Sequence, residues 1–476
     1  MKLANISCLR NFFPPPLRGR VREGGSRACR RPWLTPLPAL LRSADLPLKG
    51  GGGRKVLRRL LAALLVLDVS AACAAEDTIK VGILHSLSGT MAISESALKD
   101  TVLMLVEDQN KKGGLLGRKL EPVVIDPASD ASAFADKALE LLAKDKVAVV
   151  FGCWTSTSRK AVIPVFERLN GLLFYPVQHE GEESSRNVFY TGAAPSQQAI
   201  PAVRYLMGKE GGEIRRWVLL GTESVYPRTT NRILSAYLEA EGVRTDDITT
   251  IYVPLGQSDW REIVERIKSY GSQGKKTAVI STVSGDANGY LYNELAAQQV
   301  DAAKIPVMAF SLSERELQGA DAGRLAGHMA ARNYFQSVTS PENDAFVKMW
   351  TDFTQQRDKT TSDPMEATLI GFRMWAQAVT QAGTADVNAV RQAMYGQRIK
   401  APSGYEVVMN TNHHLSKPAM IGKLNAAGSF DVVWRSINPI KASVWSRYIP
   451  ESARLTADWT FPWVCGGCAE PTFKDW

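Results

Sequence analysis

From Asp77 onward, short apolar runs rich in β-branched residues alternate with amphipathic segments of helical period. This constrains the fold more than any other feature of the chain. Thr78–His85 reads as a buried strand, residues 92–111 as a helix with Ala97, Val102, Leu103 and Val106 on one face, and Leu120–Ile125 as the next strand. The pattern continues with a helix over 131–144, strand Val147–Phe151, a helix over 156–169, strand Leu172–Tyr175 and a strand near Val188–Tyr190. It then restarts. Helices over 197–208, 227–241, 259–270 and 286–299 alternate with strands Trp217–Gly221, Thr249–Val253, Thr277–Thr282 and Pro306–Phe310. Strands separated by helices form parallel sheets buried on both faces, so the fold class is α/β. Two similar halves imply two lobes on one plan.

The expected organisation is lobe 1 over 76–194, lobe 2 over 195–325, a helical return into lobe 1 over 326–385, short strands over 386–441 completing lobe 2, and a tail over 442–476. Helices are expected over 342–357 and 364–382. Short strands are expected at Tyr405–Val408, Met420–Leu424 and Phe430–Trp434, with a turn at Ala427-Gly428.

Residues 1–55 do not fit this scheme. They are rich in Pro, Arg and Gly without an apolar period, a composition that cannot offset ordering entropy. Residues 56–75 follow, with Arg54-Lys55-Val56-Leu57-Arg58-Arg59, an apolar run Leu60 to Leu67 and small residues Ser70 to Ala75. These are the parts of a secretory signal. The leader before it reads as an over-extended reading frame, or else as a genuine disordered leader. Cleavage after Ala74 or Ala75 fits the small-residue rule, and Cys73 offers a lipoprotein alternative. The chain is therefore expected in the periplasm. Of the net charge of +9, residues 1–75 hold 14 basic and 3 acidic side chains, leaving 43 against 45, or −2, for the rest. A body without basic surplus is no nucleic-acid binder.

Six cysteines are present, and Cys465-Gly-Gly-Cys468 is expected to close a small disulfide loop, its Pro- and Gly-rich surroundings arguing against a redox helix. The five histidines show no metal spacing, and His413-His414 is expected as a solvated pair in a polar turn. Gly271 to Thr277 has the wrong spacing and direction for a phosphate loop. No cofactor, metal or catalytic set is read from the sequence.

In open parallel sheets ligands bind beyond the carboxyl ends of the strands. The loops concerned are His85–Met91, Cys153–Ser158, Tyr175–Glu180, Glu223–Tyr226 and Ser281–Asp286, which hold uncharged hydrogen-bonding groups. Ser86, Thr155, Ser224 and Gly285 are candidates from these loops. Ser156 is placed either to grip a carbonyl oxygen or to cap the following helix.

Three stretches, Phe151-Gly-Cys-Trp-Thr-Ser-Thr-Ser158, Leu173-Phe-Tyr-Pro-Val-Gln-His-Glu180 and Gly221-Thr-Glu-Ser-Val-Tyr-Pro-Arg228, resemble the periplasmic urea-binding proteins of urea ABC importers. So do Ser281-Thr-Val-Ser-Gly-Asp286, Pro306-Val-Met-Ala-Phe310 and Asp363-Pro-Met-Glu-Ala367. The resemblance runs from Asp77 to Trp434. It implies a type I periplasmic-binding-protein fold, with two parallel-sheet lobes, a three-segment hinge and a ligand cleft between the lobes. It also implies capture of urea and delivery to the permease subunits of an ABC transporter. It places Trp154, Ser156, Tyr175, Val177, Gln178 and Tyr226 around the ligand, with Ser284, Gly285 and Asp286 from the second lobe. Relatives carry an aromatic where this chain has Ser224. A binder of short-chain amides or branched-chain amino acids, with Glu223 or Asp286 holding an ammonium group, is the alternative, as is an amide sensor.

Overall fold

The computed structural model describes residues 78–450, together with Ser452, Trp459–Thr460 and Val464–Cys465. The leader, the signal, Cys73 and Cys468 lie outside the described residues, and with Cys468 the expected disulfide.

Lobe 1 is built on a five-stranded sheet of β1 (Ile79–Leu84), β2 (Leu120–Ile125), β3 (Val149–Gly152), β4 (Leu173–Tyr175) and β5 (Val188–Tyr190), in the order β2-β1-β3-β4-β5. Every pairing is parallel. The crossovers run through α1 (Ala92–Lys111), α2 (Ala131–Leu139) and α3 (Ser156–Leu169). All four residues of β3 and all three of β4 and β5 are buried, which is why these strands read as unbroken apolar runs and not as alternation.

Lobe 2 repeats the plan. Its strands β6 (Arg216–Thr222), β7 (Ile248–Val253), β8 (Thr277–Thr282), β9 (Val307–Ala309) and β10 (Met329–Arg332) lie in the order β7-β6-β8-β9-β10, all parallel. Helices α4 (Ala199–Met207), α5 (Val225–Ala240), α6 (Arg261–Gly271), α7 (Ala287–Ala297) and the short α8 (Ala322–Leu325) connect or flank them. Both sheets change winding direction between their first and third strands, the place where doubly wound folds bind ligands.

The chain then returns to lobe 1 through α9 (Pro341–Phe353), α10 (Asp363–Ala382) and α11 (Val387–Met394). Trp350, Leu369, Trp375, Val390 and Met394 join the lobe 1 core. A third, four-stranded sheet follows, made of β11 (Arg398–Lys400), β12 (Glu406–Met409), β13 (Leu415–Lys417) and β16 (Ile440–Lys441). Between the last two, β14 (Met420–Leu424) pairs antiparallel with β10 and β15 (Phe430–Arg435) antiparallel with β14, extending the lobe 2 sheet.

This pairing differs from the expected division in two places. Met329–Arg332 lies beyond the boundary drawn at 325, yet it bonds to β9 and β14 and so belongs to lobe 2. Of the 386–441 segment, β14 and β15 extend the lobe 2 sheet, whereas Ile399, Val407, Met409 and Leu415 pack into the lobe 1 core.

Side-chain amides tie the crossovers together. Asn333 Nδ2, at the end of β10, donates to Gln197 O at 3.1 Å and Pro418 O at 2.7 Å. Gln197 Nε2 donates to Leu415 O and Ile440 O at 2.8 and 2.7 Å. Gln198 Nε2 donates to Phe310 O and Ala331 O. The connecting segments near residues 197, 333, 418 and 440 are thus tied together at their carbonyls, with the lobes on either side. No helix among the described residues is long and apolar enough to cross a membrane.

Candidate functional site

The loops after β3 and β4 form the lobe 1 wall. Thr155, and not Ser156, caps α3, its hydroxyl accepting from Ser158 N at 3.0 Å. Cys153, buried with φ 68°, turns the chain sharply so that Trp154 stands out from the strand end. Tyr175 fixes that turn by donating its hydroxyl to Trp154 O at 2.5 Å.

Ser156 enters an ionic network buried beneath this wall. Its hydroxyl donates to Glu180 and accepts from Arg159 Nη1 at 3.0 Å. Arg159, fully buried, also reaches Glu180 Oε1 at 2.9 Å and Glu183 Oε1 at 2.8 Å, with its guanidinium 4.6 Å from the Tyr175 ring centre. Lys160 closes the set at 2.6 Å from Glu183. Burial alone would raise the Glu183 carboxyl, but Arg159 and Lys160 hold it well below the usual range.

The two lobes meet across the strand ends. Gln178 Nε2 donates to the Ser311 hydroxyl, and Ser94 donates to Glu316 at 3.3 Å. A Cβ built on Gly285, φ +70°, would lie 2.9 Å from Met91 Cε, so the loops after β1 and β8 also touch. Between them remains a cavity of ≈ 30 Å³ lined by Ser94, Ala97, Trp154, Gln178, Phe310, Ser311, Ser313, Arg315, Glu316, Arg332, Ser362, Asp363 and Pro364. A larger hollow of ≈ 980 Å³ lies against α4, β15 and residues 443–448, and of the strand-end loops it meets only Glu180. The smaller cavity lies beside the lobe 1 switch point, where α1 and the loop after β3 face the segments that follow β9 and β10 of lobe 2, and a cleft shared by two lobes favours a ligand.

Of the residues expected around the ligand, Trp154 and Gln178 line this cavity. Tyr175 and Val177 are buried behind it. Tyr226, in the first turn of α5, is buried with its hydroxyl unpartnered; burial pushes that phenol well up, with Glu180 and Tyr175 adding to it. Ser86 is turned away, its hydroxyl accepting from Ser129 N at 2.9 Å and its own N–H bound to Glu95. Ser224 precedes α5 without capping it. Ser284 and Gly285 sit at the lobe contact, and Asp286 is exposed. Glu223, considered for an ammonium group, is gripped by Arg228 through contacts of 2.5, 2.8 and 3.0 Å.

The residues not anticipated are Ser94, Ser311, Ser313, Arg315, Glu316, Arg332 and Asp363. Asp363 opens the Asp363-Pro-Met-Glu-Ala367 motif, but nothing in the motif itself marks it as facing the cleft. His413 and His414, expected in solvent, are buried: His414 stacks on Tyr190 at 4.4 Å and His413 on Phe189 at 4.3 Å. The turn that holds them packs against β5, over 220 positions earlier in sequence, and no local pattern carries that contact. Among the described residues no group of three or more His, Cys, Asp or Glu is placed to hold a metal ion.

Two doubly wound lobes on a tied hinge, meeting over a small polar cavity, define a hinged binding protein of the type I periplasmic-binding-protein fold. The chain belongs to the periplasmic binding protein family, whose domain model matches residues 79–451. It is 34% identical over 137 residues to a limonene hydroxylase of Geobacillus stearothermophilus, covering 29% of this chain and 25% of that protein. It is 26% identical over 214 residues to the Leu/Ile/Val-binding protein BraC3 of Rhizobium johnstonii, covering 44% of this chain and 57% of that one. The chain thus spans between a quarter and three-fifths of the length of these curated relatives. A solute binding protein of an ABC transporter from Rhodopseudomonas palustris HaA2, solved with p-hydroxybenzoic acid, shares the fold with a TM-score of 0.66. It is 20% identical, over 77% of this chain and 98% of that one.

Proposed function

We propose that the protein is an extracytoplasmic solute-binding protein that captures urea between its lobes and delivers it to an ABC permease. The observation that carries this reading is the size of the inter-lobe cavity. About 30 Å³ is far below the ~300–1,000 Å³ of pockets that enclose drug-sized ligands. A ligand of a few heavy atoms fits with the lobes in contact, whereas leucine or a hydroxybenzoate would hold them apart. Most of the charged residues that line the cavity are engaged within the protein: Glu316 accepts from Ser94 and Ser313, Arg315 pairs with Asp358, and Arg332 faces Glu314.

Urea presents one carbonyl acceptor and four N–H donors, and each group it loses from water needs a partner in the site. At a ceiling of ~1.5 kcal/mol for each of its four heavy atoms, binding reaches roughly 6 kcal/mol, tens of micromolar. The cycle is capture in an open cleft, closure about the hinge, and release to the permease. Similarity to the Leu/Ile/Val-binding protein of Rhizobium johnstonii favours a second reading, a branched-chain amino acid. Calorimetry with urea, acetamide, formamide and leucine separates the two: urea binding at tens of micromolar is expected, and tight leucine binding with silent urea overturns the proposal.

A further inference from the structure

We infer that Asp363 is a specificity-determining residue of the inter-lobe cavity, its carboxylate accepting N–H hydrogen bonds from the bound amide. The inference rests on the reading of that cavity as the ligand site.

Asp363 opens α10, between Ser362 and Pro364, and all three residues line the cavity. It is 4% exposed, and its buried Oδ1 has no hydrogen-bond partner among the described residues. The nearest cation, Lys417 Nζ, stands 3.9 Å from Oδ1, beyond hydrogen-bond reach. Lys417 is engaged elsewhere, 3.2 Å from Glu366 and 3.3 Å from Thr191 O. Three neighbouring acids already have donors, and Asp286 on the loop after β8 is exposed. Glu316 accepts from Ser94 and Ser313, Glu180 from Arg159 and Ser156, and Glu95 from Ser86 N. Asp363 therefore brings to the cavity a buried carboxylate with open acceptor sites. A carboxylate can only accept, and leaving a buried one unmatched is costly.

Donors line the same cavity. The Ser311 hydroxyl receives the Gln178 amide and keeps its own hydrogen, and the donor-bearing side chains of Trp154, Arg315 and Arg332 line the same space. A molecule that fits offers N–H groups to Asp363 and a carbonyl oxygen to these donors, which is the pattern of urea and the primary amides. Acetate, the same shape as acetamide, would set a second negative charge against Asp363.

An acid in the first turn of a helix also has a purely structural use, since it complements the helix dipole. That role predicts a loss of stability and no change in ligand preference. The test is calorimetry on the full chain with Asp363→Asn, alongside thermal melting without ligand. In a variant that melts cooperatively, urea and acetamide are expected to bind about 10- to 100-fold more weakly. Unchanged affinity for urea in the folded variant overturns the inference and leaves the urea reading standing. Wild-type protein supplies a second arm that needs no variant: acetamide is expected to bind and acetate not, and equal binding of the two also overturns the inference. If wild-type protein binds neither urea nor acetamide, the cavity reading fails and takes this inference with it.

Discussion

Arg159 shows how much of the site's precision is electrostatic. A guanidinium with no exposed surface survives only because Glu180, Glu183, Ser156 and the Tyr175 ring surround it. Arg159→Met leaves two buried carboxylates short of their partner and is expected to cost about 3–5 kcal/mol, read from guanidinium denaturation. A loss under 1 kcal/mol would show that the network relaxes into water. The buried histidines make a pH prediction. Burial lowers His413 and His414 to about 4 each, with nearby cations adding to the effect. Their folded values lie below the unfolded ~6.5, so the unfolded chain binds protons first. Their share of stability is complete above about pH 6.5 and declines as the pH falls towards 4. Melting temperatures from pH 7 to 4 should fall across that window. His414→Phe, which keeps a ring against Tyr190, should flatten the decline; an unchanged slope would assign it to other groups.

At the scale of elements, the tie at Asn333 is the part most open to test. Its amide hydrogens bridge Gln197 O and Pro418 O, and Asn333 is fully buried. Asn333→Ala strands both carbonyls and is expected to destabilise by about 1–3 kcal/mol. It should also weaken urea binding, because the lobes lose their fixed axis. A melting curve and a calorimetric titration on the same preparation check both. Elements long enough to carry their own period, such as α1 or α10, are legible in sequence to within a residue or two. β10 is not, because Met-Ala-Ala-Arg carries no strand pattern and is a strand only through bonds to β9 and β14. The site divides the same way. The alternation locates the strand-end loops that hold Trp154 and Gln178, and the resemblance to urea-binding proteins singles out Gln178 within its loop. Ser311 and Asp363 reach the cavity through the way the lobes and the returning helix pack, a long-range matter that no local spacing encodes.

For the whole molecule, binding and stability are linked, and the linkage yields an unusual sign. Urea at molar concentration unfolds proteins, with a slope of roughly 1–3 kcal/mol per molar for small domains and more for larger ones. At 10 mM that effect amounts to only a few hundredths of a kcal/mol. A ligand that binds the closed form alone stabilises it by RT ln(1 + [L]/Kd). With a Kd of tens of micromolar, 10 mM urea therefore adds about 3 kcal/mol. The melting temperature should rise by a few degrees at 10 mM urea, pass through a maximum, and fall again as the denaturing term overtakes a saturated binding term. Leucine at 10 mM should leave it unmoved. The rise depends on both lobes closing over one molecule, so Gly285→Ala, whose added Cβ meets Met91 at 2.9 Å from an unfavourable φ of +70°, should shrink it. A melting temperature that only falls with urea would remove urea as the ligand, whatever the fold.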